Sequence, residues 1–252
     1  MSKPFKISVN EGIAEMILDH PPVNAFDSQG WFDIAAEIDT LGAREDVRVI
    51  VIAGEGRGFC AGVDIKELAA DGSKILDVNR GNYATFKAIH LNPVPVIIGL
   101  HGFVLGGGIG MAGAADVVVC SEDATFGVPE IDRGAMGGGA HLQRLFPVQK
   151  VRYMYFTGDF IDAHEAYRLG SIEKVVPRDQ LLSACREIAA KIAEKSPAMV
   201  MLAKEALTGI EDGNLEDKYR WEQGFTFEAY TMEDSQEARD AFVDKRDAKF
   251  DS

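Results

Sequence analysis

The apolar residues of this chain fall into two textures. Up to about Val148, short apolar runs alternate with amphipathic stretches, and beyond it helical spacing takes over. Ser8–Asp19 alternates loosely, the period of a half-buried strand, and His20-Pro21-Pro22 ends it because consecutive prolines remove ladder donors. Trp31, Ile34, Ala35, Ile38 and Leu41 recur at helical spacing, with Asp27 or Ser28 placed to cap their helix. Val47–Ala53 is a continuous apolar run that Gly54-Glu55-Gly56 breaks. Val94–Leu100, introduced by Pro93 and Pro95, is a second such run, and Asp116–Cys120 a third. Runs without alternation predict strands buried on both faces, and strands interleaved with helices predict an α/β body.

In the second half, Leu181, Leu182, Cys185, Ile188, Ala189 and Ile192 mark one amphipathic helix. Met199–Ile210 and Tyr219–Ala229 predict two more, and the charged stretch Gln236–Phe250 has Phe242 and Phe250 as its apolar anchors. The expected organisation is an α/β N-terminal part and a helical C-terminal part, with no disordered linker and no short-period repeat.

The composition narrows the class. At 252 residues, 46% hydrophobic and 26% charged, the chain has the make-up of an ordinary soluble protein. Its net charge of −14 argues against nucleic acid or an anionic membrane as partner. No apolar run approaches a membrane span, and the start, MSKPFKISVNEG, lacks the apolar core of a signal peptide. Cys60, Cys120 and Cys185 are far apart, odd in number and set in apolar or helical contexts, which predicts reduced, buried thiols and a cytoplasmic location. No cysteine or histidine has metal-ligand spacing, so no metal is expected.

The candidate chemistry lies in glycine-rich turns. Gly102–Gly113 reads GFVLGGGIGMAG, and its end, Gly108–Gly113, fits the G-x-G-x-x-G of dinucleotide-binding proteins. A nicotinamide-dependent oxidoreductase would rest on that pattern alone. The next strand begins at Asp116, only about seven residues beyond Gly108, whereas a parallel crossover takes roughly a dozen. The triplet Gly106-Gly107-Gly108 has two better uses: a helix N-terminus whose free N–H groups face a negative charge, or close packing of a small-residue helix. A second turn, RGFCAGVDIKE (Arg57–Glu67), also joins a strand to a helical start. Amides from two turns converging on one oxygen make an oxyanion hole.

These pieces resemble the crotonase, or enoyl-CoA hydratase/isomerase, family. The resemblance is carried by HPPVNAF (His20–Phe26), GRGFCAGVDIKE (Gly56–Glu67), PVPVIIGLHGFVLGGG (Pro93–Gly108) and ADVVVCSEDATFGVPEIDRG (Ala115–Gly134). LQRL (Leu142–Leu145), FTGDFIDAHEAYRLGSIEKVVP (Phe156–Pro177) and AFVDKRDAKF (Ala241–Phe250) continue it, in family order over nearly the whole chain. It implies a crotonase-like α/β spiral of ββα units over residues 1–195 and a helical trimerisation region over 196–252. It further implies a homotrimer or dimer of trimers, an acyl-CoA substrate and no prosthetic group, coenzyme A being part of the substrate. By position, the oxyanion donors would be the backbone N–H groups of Val63 and Gly107. Backbone groups near Ala61 and Val63 would face the adenine and Lys66 the phosphates. Phe242 and Lys245 would reach a neighbouring subunit's CoA.

The chain departs from the hydratase pattern at one of the two catalytic glutamates. Glu130, in VPE, is present; the other position, two residues after the triplet, is Gly110. Hydration uses both carboxylates to activate water and manage its proton. Gly138 likewise stands where dienoyl-CoA isomerases carry a further acid. Asp132, His141 and Glu228 are nearby candidates for a catalytic role. IGM (Ile109–Met111) after the triplet, PEIDRGAMGGGAHLQRL and YRWEQGFTFE together are similar to a subgroup of bacterial steroid-ring degradation that hydrolyses a C–C bond in a cyclic β-diketone attached to CoA. Gly110 and Gly137–Gly139 would enlarge the site for fused rings. The alternatives are an enoyl-CoA hydratase or isomerase of fatty-acid β-oxidation and, in another class, a non-catalytic CoA-binding protein.

Overall fold

The structure, a computed structural model, describes residues 3–211 and 213–249. The stretch expected as one strand is a hairpin of β1 (Phe5–Asn10) and β2 (Ile13–Leu18). Glu11 and Gly12 join them with φ of 51° and 80°. Two left-handed residues in succession match the twist of paired strands, so the two-residue turn fixes the register that the loose alternation concealed.

After the hairpin come β3 (Ala25–Phe26) and α1 (Ser28–Gly42), then β4 (Val49–Gly54), β5 (Gly62–Val63), α2 (Ile65–Ala70) and α3 (Ile75–His90). Next are β6 (Val96–Leu100), β7 (Phe103–Leu105), α4 (Gly107–Ala114), β8 (Val117–Ser121) and β9 (Thr125–Gly127). A six-stranded sheet has the order β1-β2-β4-β6-β8-β11, where β11 is Lys174–Val176, and every pairing but the first is parallel. The short strands pair apart from it: β3 with β5, and β7 with β9, joined through a bridge between Cys60 and Val104. Each unit thus lays one strand in the large sheet and one in a small sheet, then turns into a helix. Repetition of that plan makes the spiral.

The continuous apolar runs have a direct cause. In β4, Ile50 and Ile52 join the main core, while Val49 and Val51 face the opposite cluster. That cluster is closed by Leu181, Ala184, Cys185 and Ala189 of α8 (Leu181–Ala193), as the helical spacing predicts. Asp27 caps α1, its Oδ1 accepting from Gly30 N at 2.7 Å.

The helix α3 was not foreseen. It packs along α1 through Val78, Thr85, Phe86 and Ile89, but Asn79 and Asn82 share its buried face. Those two amides dilute the apolar pattern from which a helix is read. The connection from β9 runs through a 3₁₀ turn (Pro129–Arg133) to α5 (Gly139–Leu145) and α6 (Val148–Thr157). β10 (Ile161–Asp162) and α7 (Ala163–Arg168) lead to β11.

The C-terminal helices are α9 (Pro197–Ile210), α10 (Leu215–Ala229) and α11 (Glu233–Asp244). They fold back on the body instead of standing apart. Lys204 of α9 donates to Ile89 O at 3.2 Å, Val94 O at 3.0 Å and Asp116 Oδ2 at 2.8 Å. α10 lies against α3 and α5, and α11 against the 3₁₀ turn. Phe242 is on α11; Phe250 lies outside the described residues.

Candidate active site

The two glycine turns meet. Gly106 adopts φ 48° and ψ −109°, a conformation open to glycine alone, and turns the chain into α4. The first bond inside α4 runs from Gly110 N to Gly106 O at 3.1 Å, and no side chain caps the helix. Gly107 N–H therefore belongs to the donors a helix start leaves unsatisfied. A β-carbon on Gly62 would stand 3.3 Å from Gly107 N, so β5 abuts this helix start. Asp64 N–H donates to Phe26 O at 2.8 Å across the β3–β5 ladder. Amides alternate sides along a strand, so the N–H of Val63 turns away from β3. Val63 and Gly107 both line the cleft that opens here.

The cleft encloses about 60 Å³ and has apolar walls from Leu68, Val78, Phe86 and Met136. Glu130 enters it from the 3₁₀ turn, with Oε1 placed where a β-carbon of Gly106 would be. Among the described residues lining the cleft, Glu130 is the only carboxylate. α10 supplies Tyr219 and Thr226, with Tyr230 following it; Thr226 Oγ1 donates to Met136 O at 2.8 Å and steadies the loop ahead of α5. Burial and the Glu130 carboxylate raise the Tyr230 phenol above its ordinary pKa, against the guanidinium of Arg239 that lies 4.2 Å over its ring. Backbone amides from two turns that meet at one cleft, beside one carboxylate, are groups that can hold an oxyanion and move a proton.

The other residues singled out in the sequence lie elsewhere. His141 is 2% exposed and sits edge-on to Phe86 at 4.7 Å and Tyr219 at 5.0 Å, outside the cleft lining. Burial, with the charges of His90 and Arg144, depresses its pKa to about 3, and Glu216 opposes them. Such a histidine stays neutral, packed against Phe86 and Tyr219. Asp132 is exposed and turns its carboxylate to Gly158, the residue ending α6. Glu228 is exposed on α10. The expected enlargement at Gly110 is absent, because a β-carbon there would collide with the Phe86 ring. Gly110 is a seat for Phe86, not open space; Gly137 and Gly138 do line the cleft.

Ala61 and Lys66 do not line the cleft: Ala61 N–H donates to Val23 O at 3.2 Å, and Lys66 is exposed in the first turn of α2. Phe242 is 44% exposed, with Arg133 at 4.5 Å over its ring, so α11 is tied to the turn carrying Glu130. Lys245 ends α11 in a left-handed conformation, φ 55°. Among the described residues no group of three His, Cys, Asp or Glu side chains is placed to hold a metal ion. Sequence reading missed Asn79, Asn82, Phe86 and Tyr230, all of which line the cleft. The available signal was the pair of asparagines inside the periodicity Val78, Thr85, Phe86, Ile89.

Comparison with known proteins gives a consistent result. Residues 8–252 match the family described as Enoyl-CoA hydratase/isomerase. A protein of Rhodococcus jostii (strain RHA1), named (7aS)-7a-methyl-1,5-dioxo-2,3,5,6,7,7a-hexahydro-1H-indene-carboxyl-CoA hydrolase, is 46% identical, over 93% of this chain and 92% of its own. A protein of the same name from Mycobacterium tuberculosis (strain ATCC 25618 / H37Rv) is 47% identical over 93% of this chain and 96% of its own. A crystal structure of an enoyl-CoA hydratase/isomerase from Pseudoalteromonas atlantica T6c superposes with a TM-score of 0.87, covering 98% of this chain and 100% of that one at 21% identity. At that identity the likeness speaks for the fold alone.

Proposed function

The chain belongs to the enoyl-CoA hydratase/isomerase family, the crotonase superfamily of acyl-CoA enzymes, and from that premise we propose that it hydrolyses a ring C–C bond in a bicyclic diketone CoA thioester of steroid catabolism. The carrying observation is the Phe86 ring seated over Gly110: the position of a hydratase's second glutamate is filled, and Glu130 is the one carboxylate among the described residues lining the cleft. The relatives at 46% and 47% identity, whose printed name is that of an indene-dione CoA hydrolase, support the same reading.

In this reaction water adds to a ring ketone as the neighbouring C–C bond breaks. Glu130 takes the proton of the attacking water, and the ketone carbon becomes a carboxylic acid. The released electron pair passes through the conjugated ring onto the thioester oxygen, which the N–H groups of Val63 and Gly107 hold. One such donor contributes roughly 10²–10³ in rate. Glu130 then returns the proton to carbon, so that the net change is the gain of one water. The CoA part lies along Ala61 and Lys66, with Phe242 and Lys245 serving a neighbouring copy's CoA. The assembly is a trimer or a pair of trimers in the cytoplasm. Exposed apolar side chains on α9 and α10, among them Leu202 at 58%, Ile210 at 77% and Trp221 at 75%, support such association.

Mass spectrometry of products from a panel of CoA thioesters, bicyclic diketones included, tests the reading. Ring opening with the gain of one water is expected. Water addition to crotonyl-CoA at ordinary hydratase rates, or isomerisation without change of mass, would overturn it.

A further inference from the structure

The face of α3 that meets the cleft carries two amides, each with one buried polar atom that makes no hydrogen bond among the described residues. Asn79 and Asn82 are each 6% exposed, and both line the cleft. Asn79 Nδ2 and Asn82 Oδ1 are fully buried, yet neither makes a hydrogen bond among the described residues. Gln223 Nε2 donates to the backbone oxygen of Asn79 at 2.8 Å, which holds the helix without engaging Asn79 Nδ2. Asn82 Oδ1 would lie 3.5 Å from a β-carbon placed on Gly107, so its amide stands beside the oxyanion turn. An unpaired amide costs a folded protein stability, and buried polar groups are normally satisfied. Two of them one helical turn apart, aimed into the same cleft, mark a site awaiting polar atoms.

We propose that Asn79 and Asn82 recognise an oxygen function of the acyl group, a ring ketone or the hydrate it forms, and so select oxygenated cyclic acyl-CoA thioesters over hydrocarbon ones. This rests on the reading of the protein as a diketone-thioester hydrolase. The amide N–H groups of Asn79 suit a ketone oxygen, and the Asn82 carbonyl accepts from the hydroxyl that water addition creates. Neutral amides fit a neutral ring, since a buried charge without a partner would be far more costly. The flanking Leu68, Ile75, Val78 and Met136 cover the hydrocarbon part of such a ring. A site built to hydrogen-bond an oxygen rejects the analogue that lacks it, because its own groups are then stranded.

The test compares two thioesters that differ in one oxygen, indanone-carboxyl-CoA and indane-carboxyl-CoA, by isothermal titration. The CoA part is common to both, so any difference belongs to the ring. The wild-type protein is expected to prefer the ketone by at least about tenfold. Asn79→Leu and Asn82→Leu are expected to erase that preference while their melting temperatures hold or rise, because each removes a stranded amide. Should a leucine variant fold poorly, Asn79→Ser and Asn82→Ser, smaller and still polar, are expected to reduce the preference. Equal binding of both thioesters by the wild type, or an unchanged preference in the variants, would overturn the proposal. So would lowered melting with preference intact, the mark of a structural role. A ketone preference lost in the variants, in a protein that opens no ring in the product analysis, would uphold the recognition and sink the hydrolase reading alone.

Discussion

Glu130 and Gly107 are legible in the sequence as residues of the cleft because the motif fixes both: a glycine that must lack a β-carbon, and an acid at a fixed distance after a strand. Glu130→Gln is expected to abolish turnover and spare CoA binding; activity retained in a product assay would remove Glu130 from the mechanism. Gly110 carries the opposite lesson. Its missing side chain reads as space, and only packing shows that Phe86 occupies it. Gly110→Ala is therefore expected to cost about 1–3 kcal/mol in urea unfolding through overpacking. Gly110→Glu, which restores the hydratase residue, is expected to yield no crotonyl-CoA hydration. His141 fills a place its motif context suggested for chemistry, but burial holds it neutral, with a pKa near about 3 against an ordinary value of 6.5. Between those values the unfolded chain binds the extra proton and the folded one does not, so stability is full above about pH 6.5 and falls as pH drops, by up to about 1.4 kcal/mol per pH unit. His141→Leu is expected to unfold less steeply with acid than the wild type, measured by circular dichroism between pH 6.5 and pH 4.5.

At the scale of elements, the sequence reads well where one environment acts along the whole segment. β4 and β6 carry no polar side chain, and β8 none before Ser121, because each face meets its own core; α8 repeats every turn because one side covers the sheet. It reads poorly where function is set into the pattern. α3 buries Asn79 and Asn82 among its apolar residues, and the interruption hides the helix. The hairpin of β1 and β2 was hidden for a different reason, since a turn of Glu11 and Gly12 leaves the alternation almost unbroken. α9 is tied to the body by the buried ammonium of Lys204. Burial lowers the pKa of Lys204, and Asp116, 2.8 Å away, opposes the shift. Lys204→Met is expected to destabilise the protein by about 3 kcal/mol, leaving Asp116 without its cation. Faster hydrogen exchange confined to α9 and to the Ile89–Val94 segment would check that the loss is local.

For the whole molecule, the cleft is a product of distant parts: β5 and α4 bring amides, the 3₁₀ turn a carboxylate, α3 two asparagines, and α10 a wall. The apolar side chains exposed on α9 and α10 are expected to be covered by other copies. Light scattering should then give three or six times the 27.4 kDa of one chain; a monomer at micromolar concentration would refute the assembly. Among the described residues no helix is long and apolar enough to cross a membrane. The sequence by itself determined the alternation of strands and helices, the capped start of α1, the two glycine turns and the family they resemble. Those features follow from local periodicity and from backbone conformations that few residues tolerate. The tertiary structure alone decided that Phe86 closes Gly110, that His141 is buried against Phe86 and Tyr219, and that Asn79 and Asn82 line the cleft beside Glu130. Burial and convergence arise between segments far apart in the chain, and no local pattern records which faces will meet.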